Sequence, residues 1–156
     1  MITLAALSTG QRVERSQALY DILLIEDDEA TCEMLTESIE SQSSYRVRSL
    51  PSGESVLQHL QEIMEAAPLL FIIDFLLPGM TGLQLFDHLH NLEAFERVPA
   101  IMLTAMTMTD DIHAALRDRN LALLTKPFEL ADLLDYLEYV LTDSPQQPAF
   151  LQQSHS

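Results

Sequence analysis

Asp74 closes an apolar run, Leu69-Leu70-Phe71-Ile72-Ile73, and Pro78 and Gly79 follow within five residues. Burying a carboxylate is costly unless something compensates it, so Asp74 points to a partner elsewhere in the chain. Three other polar signals end comparable runs. Glu26-Asp27-Asp28-Glu29 follows Asp21-Ile22-Leu23-Leu24-Ile25, Thr104 follows Pro99-Ala100-Ile101-Met102-Leu103, and Lys126 follows Leu121-Ala122-Leu123-Leu124-Thr125. Several carboxylates brought together repel unless a cation sits among them, and hard oxygen ligands of this number favour Mg²⁺, which bridges readily to phosphate. Lys126 is the only lysine among 8 basic residues. It can pair with Asp74 and then with phosphoryl oxygens, to which Thr104 offers a hydroxyl. The chemistry implied is phosphoryl transfer onto the Asp74 carboxylate, with charge neutralised by Mg²⁺ and Lys126.

These residues meet only if the runs that carry them lie side by side. Short runs rich in Ile, Leu and Phe read as strands buried on both faces of a parallel sheet. Parallel strands gather their carboxyl ends at one edge, where ligands bind in open α/β sheets. The chain alternates accordingly. Strands are expected at 21–25, 45–50, 69–74, 99–104 and 121–125, the second nearer an edge. Helices are expected at about 30–42, 53–66, 82–92, 110–119 and 129–141. The first is expected to turn Thr31, Met34, Leu35, Ser38 and Ile39 to one face, and the last to bury Leu130, Leu133, Leu134, Leu137 and Leu141. Five strands alternating with five helices predict a doubly wound parallel sheet. Residues 1–20 read as an N-terminal extension, 21–142 as one domain, and 143–156, with Pro145 and Pro148 among Gln and Ser, as a disordered tail.

Composition narrows the classes. The chain has 156 residues, 47% of them apolar, which suits one domain with a real core. A formal net charge of −16 repels phosphate backbones and disfavours direct nucleic-acid binding. One cysteine, Cys32, excludes an internal disulfide and suits a reducing compartment. No apolar run reaches the ~18 residues of a membrane span, and the apolar opening Ile2–Leu7 lacks a basic start. The expectation is a soluble cytoplasmic protein.

Taken together and in order, Glu26-Asp27, Asp74 with Leu77-Pro78 and Gly82, Thr104-Ala105 and Lys126-Pro127-Phe128 resemble the receiver domain of two-component response regulators. The intervals, thirty residues from Asp74 to Thr104 and twenty-two from Thr104 to Lys126, resemble those of the family, and the resemblance covers about residues 20–142. It implies a flavodoxin-like sheet in strand order 2-1-3-4-5. It also implies a stand-alone phosphorylation switch, similar to chemotaxis regulators, that catalyses only its own phosphoryl transfer and loss. Asp74 looks like the phosphoacceptor. Glu26, Asp27, Asp74 and the Leu76 backbone carbonyl look like Mg²⁺ ligands, and Thr104 and Lys126 like the switch hydroxyl and phosphate-binding cation. The implied partners are a histidine kinase or histidine phosphotransfer protein and a downstream protein target.

Departures from the family pattern carry expectations of their own. Leu123 stands where an aromatic is usual, which implies switching without an aromatic rotamer change. Arg119-Asn120 replaces a small pair, which implies a different loop, and Cys32 replaces a basic residue. The positions two after Asp74 and two after Thr104 are Leu76 and Met106. Neither can orient an attacking water, which implies a long-lived aspartyl phosphate.

Plainer readings stand beside these. Acids at 26–29 also suit the first turn of a helix. Thr104 alone reads as a strand-end hydroxyl, and Lys126 alone as a surface charge. His59, His88, His90, His113 and His155 follow no metal-ligand spacing and read as surface residues. Cys32 reads as inert, and Met102, Met106 and Met108 as packing. Tyr136 and Tyr139 fall off the apolar stripe of the last helix. They read as partly exposed, or as a partner or homodimer surface with the fifth strand. Two other functions compete with the switch: an unphosphorylated scaffold of the same fold, and an aspartyl-nucleophile phosphatase. The phosphatase normally needs a second acid where Leu76 stands.

Overall fold

A computed structural model describes residues 19–105, 107–119 and 121–142. Five strands, β1 (Ile22–Ile25), β2 (Val47–Leu50), β3 (Leu70–Asp74), β4 (Ala100–Ala105) and β5 (Ala122–Lys126), form one sheet in the order β2-β1-β3-β4-β5. Every pairing is parallel. The flavodoxin-like expectation therefore holds. The helices are α1 (Glu29–Gln42), α2 (Gly53–Gln58), α3 (Leu60–Ala66), α4 (Gly82–His90), α5 (Asp110–Arg117) and α6 (Leu130–Leu141).

The apolar runs become strands because both sheet faces are covered. Ile22, Leu24, Ile72, Ile101 and Leu103 pack under α1 and α6. Leu23, Ile25, Phe71, Ile73 and Met102 face the opposite layer, with Val56, Ile63, Leu85, Leu89 and Leu116 from α2 to α5. All five residues of β3 are buried, as its central place requires. β2 lies at the sheet edge and is the least buried strand, beginning at Val47 rather than Tyr45.

Three local features differ from the sequence expectation. The helix expected over 53–66 is two, broken at His59. The His59 amide bonds Val56 O at 3.0 Å, one residue short of the helical register. Its ring Nδ1 takes the Ser55 carbonyl, at 2.7 Å, in place of its own amide. On α1, Met34 is 49% exposed, and Leu35 and Ile39 are the buried residues. The inward stripe runs through Cys32, Leu35 and Ile39, and the Cys32 thiol donates to Glu26 O at 3.1 Å. Tyr136 is buried among the residues under α6, in ring contact with the half-buried Tyr139, so it offers no free surface.

His90 is half-buried rather than a free surface residue. Its ring lies 3.9 Å from that of Phe86, and Nε2 donates to Val98 O at 2.9 Å. His155 and Met106 lie outside the described residues, as do Asn120, the first eighteen positions and 143–156. Among the described residues no helix is long and apolar enough to cross a membrane.

Candidate functional site

Strand register decides which polar groups meet. Ile25 pairs with Ile73, Asp74 with Leu103, Thr104 with Thr125 and Ala105 with Lys126. Glu26, one residue beyond β1, therefore stands beside Asp74, and the Glu26 amide continues the ladder to Leu50 O at 3.1 Å. The sheet edge brings Glu26, Asp27, Asp74 and Lys126 together, and Thr104 lies near the end of β4 at the same edge. Carboxylate oxygens of Glu26, Asp27 and Asp74 lie within 4.8 Å of one another. Glu26 and Asp74 are buried, and Asp27 is exposed at the mouth.

Lys126 binds the two buried acids together. Its Nζ donates to Glu26 Oε2 at 3.0 Å and to Asp74 Oδ2 at 3.1 Å. The second oxygen of each acid is held by backbone. Glu26 Oε1 accepts from the Asp28 amide at 3.1 Å, and Asp74 Oδ1 from the Leu76 amide at 3.1 Å. Burial pushes the Glu26 carboxyl up to about 7, and the neighbouring Asp74 adds to the rise. The Asp28 amide and Lys126 offset part of it. For Lys126, burial opposes the charge, but Glu26 and Asp74 outweigh it, and the ammonium titrates above its ordinary range. Three carboxylates facing one ammonium leave the site net negative. Its donors are all hard oxygens, so the residues fit a divalent cation of the Mg²⁺ kind.

The loops explain the placement. Asp28 does not join the cluster: its side chain caps α1 by accepting from the Thr31 amide at 3.0 Å, as acids at a helix start do. After β3 the chain turns tightly, with the Gly82 amide on Phe75 O at 2.8 Å. A Cβ on Gly82 would sit 2.4 Å from Asp74 O, so only glycine allows α4 to start this close to β3. Thr81 and Gln84 form a reciprocal capping box that fixes that start. The Leu76 side chain is 61% exposed, so this loop presents an apolar group beside Asp74.

Thr104 is buried, and its hydroxyl donates to Thr125 Oγ1 at 3.4 Å. Leu123 packs half-buried against the core on the α2 to α5 side. Sequence reasoning missed Thr125, although its place one residue before Lys126 sets it opposite Thr104 as soon as β4 and β5 are paired. It also missed what Arg119 does. The guanidinium forms a two-pronged pair with Asp87 of α4, at 2.8 and 2.9 Å, and its Nη1 donates to Ala115 O at 2.6 Å. That ties the end of α5 to α4.

Comparison with known proteins gives the chain a family and a fold. Residues 22–138 match the family described as the response regulator receiver domain. An uncharacterized 14.6 kDa protein of Leptolyngbya boryana is 32% identical over 129 residues, 82% of this chain and 95% of the relative. The DNA-binding response regulator MtrA of Mycobacterium tuberculosis is 31% identical over 82% of this chain but only 53% of its own length. This chain thus spans about half of that relative. Among solved structures, a Chloroflexus aurantiacus protein described as a response regulator superposes with a TM-score of 0.67 at 30% identity, over 80% of this chain and 98% of its own. The chemotaxis protein CheY4 of Vibrio cholerae shares the fold at 21% identity, with a TM-score of 0.67, over 79% of this chain and 99% of its own.

Proposed function

We propose that this chain, which belongs to the response regulator receiver domain family, takes a phosphoryl group onto Asp74 from a histidine kinase or histidine phosphotransfer protein. Output then passes through contacts with another protein. The observation that carries this reading is the double contact of Lys126 with Glu26 and Asp74 at the mouth of an acidic cluster. The cluster resembles a metal-assisted phosphoryl-transfer site rather than an isolated structural ion pair.

In the proposed step an Asp74 carboxylate oxygen attacks the phosphorus of a phosphohistidine. The P–O bond forms as the P–N bond breaks, and the released electron pair stays on the imidazole nitrogen, which takes a proton from solvent. The Leu76 amide, on Oδ1, keeps Asp74 from rotating. Lys126 follows the phosphoryl oxygens as they replace the carboxylate oxygen it held, and charge-assisted bonds of this kind are the stronger ones. The Thr104 hydroxyl supplies a further donor. Glu26, Asp27, Asp74 and the Leu76 carbonyl would hold Mg²⁺, which supplies charge neutralisation at the transferring group when bound.

Residues 21–142 form the receiver unit in this reading. The proposed partners are the phosphodonor protein, a downstream protein target and a second copy of this chain against α6 and the open edge of β5. Incubation with acetyl phosphate and Mg²⁺ should add the mass of one phosphoryl group to the protein and none to Asp74→Asn. Turnover of an added phosphoester would favour a hydrolase instead, and no mass gain an unphosphorylated scaffold.

A further inference from the structure

We infer that Thr125 is a positioning residue for the switch hydroxyl: it holds the Thr104 hydroxyl in the resting state and must release it when the Asp74 site is filled. The inference rests on the proposed phosphoacceptor reading. Thr104 is 1% exposed, and a hydroxyl so buried needs a partner. Among the described residues its partner is the Thr125 hydroxyl. The pair is built into the sheet, because Thr104 and Thr125 are directly opposite in the β4–β5 register. Facing residues on adjacent strands share a sheet face, where two threonines can exchange a hydrogen bond.

Two features make this contact one that yields. At 3.4 Å it is at the long limit for an O–H···O bond, so it orients the hydroxyl without gripping it. A hydroxyl also has a single proton to donate. If Thr104 turns that proton toward a phosphoryl oxygen on Asp74, it gives up Thr125, and the charge-assisted bond is the stronger of the two. Leu123, two residues earlier on the same strand, has no polar atom to take this part. Thr125 itself is exposed and adjoins Lys126, which already contacts Asp74. Release of its hydroxyl is therefore an event at the protein surface, on the open edge of β5.

Beryllofluoride with Mg²⁺ is the probe, as a non-reacting mimic of the phosphoryl group, with affinity read by isothermal titration. Thr125→Val removes the resting partner but leaves the filled state intact. It should tighten binding roughly twofold, the low end for one neutral hydrogen bond, because the contact is long. Thr125→Ser should restore the affinity of the parent. In a Thr104→Val background, Thr125→Val should change nothing, which a merely structural role for Thr125 would not produce. Unchanged or weaker binding by Thr125→Val, beside a parent that binds normally, overturns the inference and spares the phosphoacceptor reading. A parent that neither binds beryllofluoride nor gains mass from acetyl phosphate overturns both.

Discussion

A carboxylate that is to take a phosphoryl group, the role proposed for Asp74, must be held still and yet left nucleophilic. Asp74 divides its oxygens, one on the Leu76 amide and one on Lys126, which suits both needs. The Leu76 side chain points into solvent, so it can be changed without disturbing the core. A polar side chain there could orient a water toward the phosphorus. Leu76→Asn is expected to speed loss of label from the phosphorylated protein by about tenfold, below the ~10²–10⁴-fold of general acid–base catalysis because an amide orients a water without taking its proton. Decay unchanged by the substitution would remove the basis for a long-lived aspartyl phosphate. The site residues were legible because each closes an apolar run, a position where a charge or hydroxyl has no packing reason to be. Arg119 and Thr125 were not, since their partners lie 32 and 21 residues away and appear only once helices and strands are paired. Tyr136 was misplaced for a related reason: the helical stripe records the direction of the sheet, whereas its ring is covered by neighbours on the helix flank.

At the scale of elements, the strands were easier to read than the helices. A run buried on both faces has one pattern, whereas a helix can bury a neighbouring stripe, as α1 does through Cys32, or break, as at His59. Two glycines in one loop separate the forces that shape the β3–α4 turn. A methyl carbon added to Gly82 would meet Asp74 O at 2.4 Å and Met102 Sδ at 2.9 Å, so the constraint is close approach. Gly79 has φ of +83° with nothing within 4 Å, so its constraint is backbone conformation alone. Gly82→Ala is expected to cost about 3 kcal/mol, the upper range for overpacking, and to slow phosphorylation because it displaces Asp74. Gly79→Ala is expected to cost about 1 kcal/mol and leave the acceptor in place. Urea denaturation of both variants, with phosphorylation by acetyl phosphate measured alongside, checks the pair. Equal costs would mean that the approach of α4 to β3 is not what Gly82 serves.

For the whole molecule, the parallel sheet was legible because alternating strands and helices restrict the topology to few choices, whereas the strand order was implied only by the family resemblance. Charge is its other global property. With a net charge of −16 and three carboxylates converging at one edge, a divalent cation should stabilise the fold more than ionic strength does. Mg²⁺ at a hundredfold excess over its dissociation constant is expected to add about 2.7 kcal/mol. Thermal melting with MgCl₂ against NaCl of equal ionic strength reads it, and Asp27→Asn should blunt the rise. A gain matched by NaCl would reduce the cluster to general repulsion.

That charge is unevenly spread. Glu29, Glu33, Glu37 and Glu40 stand exposed along α1, which carries no basic residue. Twofold symmetry sets like patches face to face, so any head-to-head pairing across this helix would crowd the four glutamates of one copy against the same four of the other. Like-charge crowding therefore disfavours a symmetric contact through α1, a flank better suited to a surface of opposite sign.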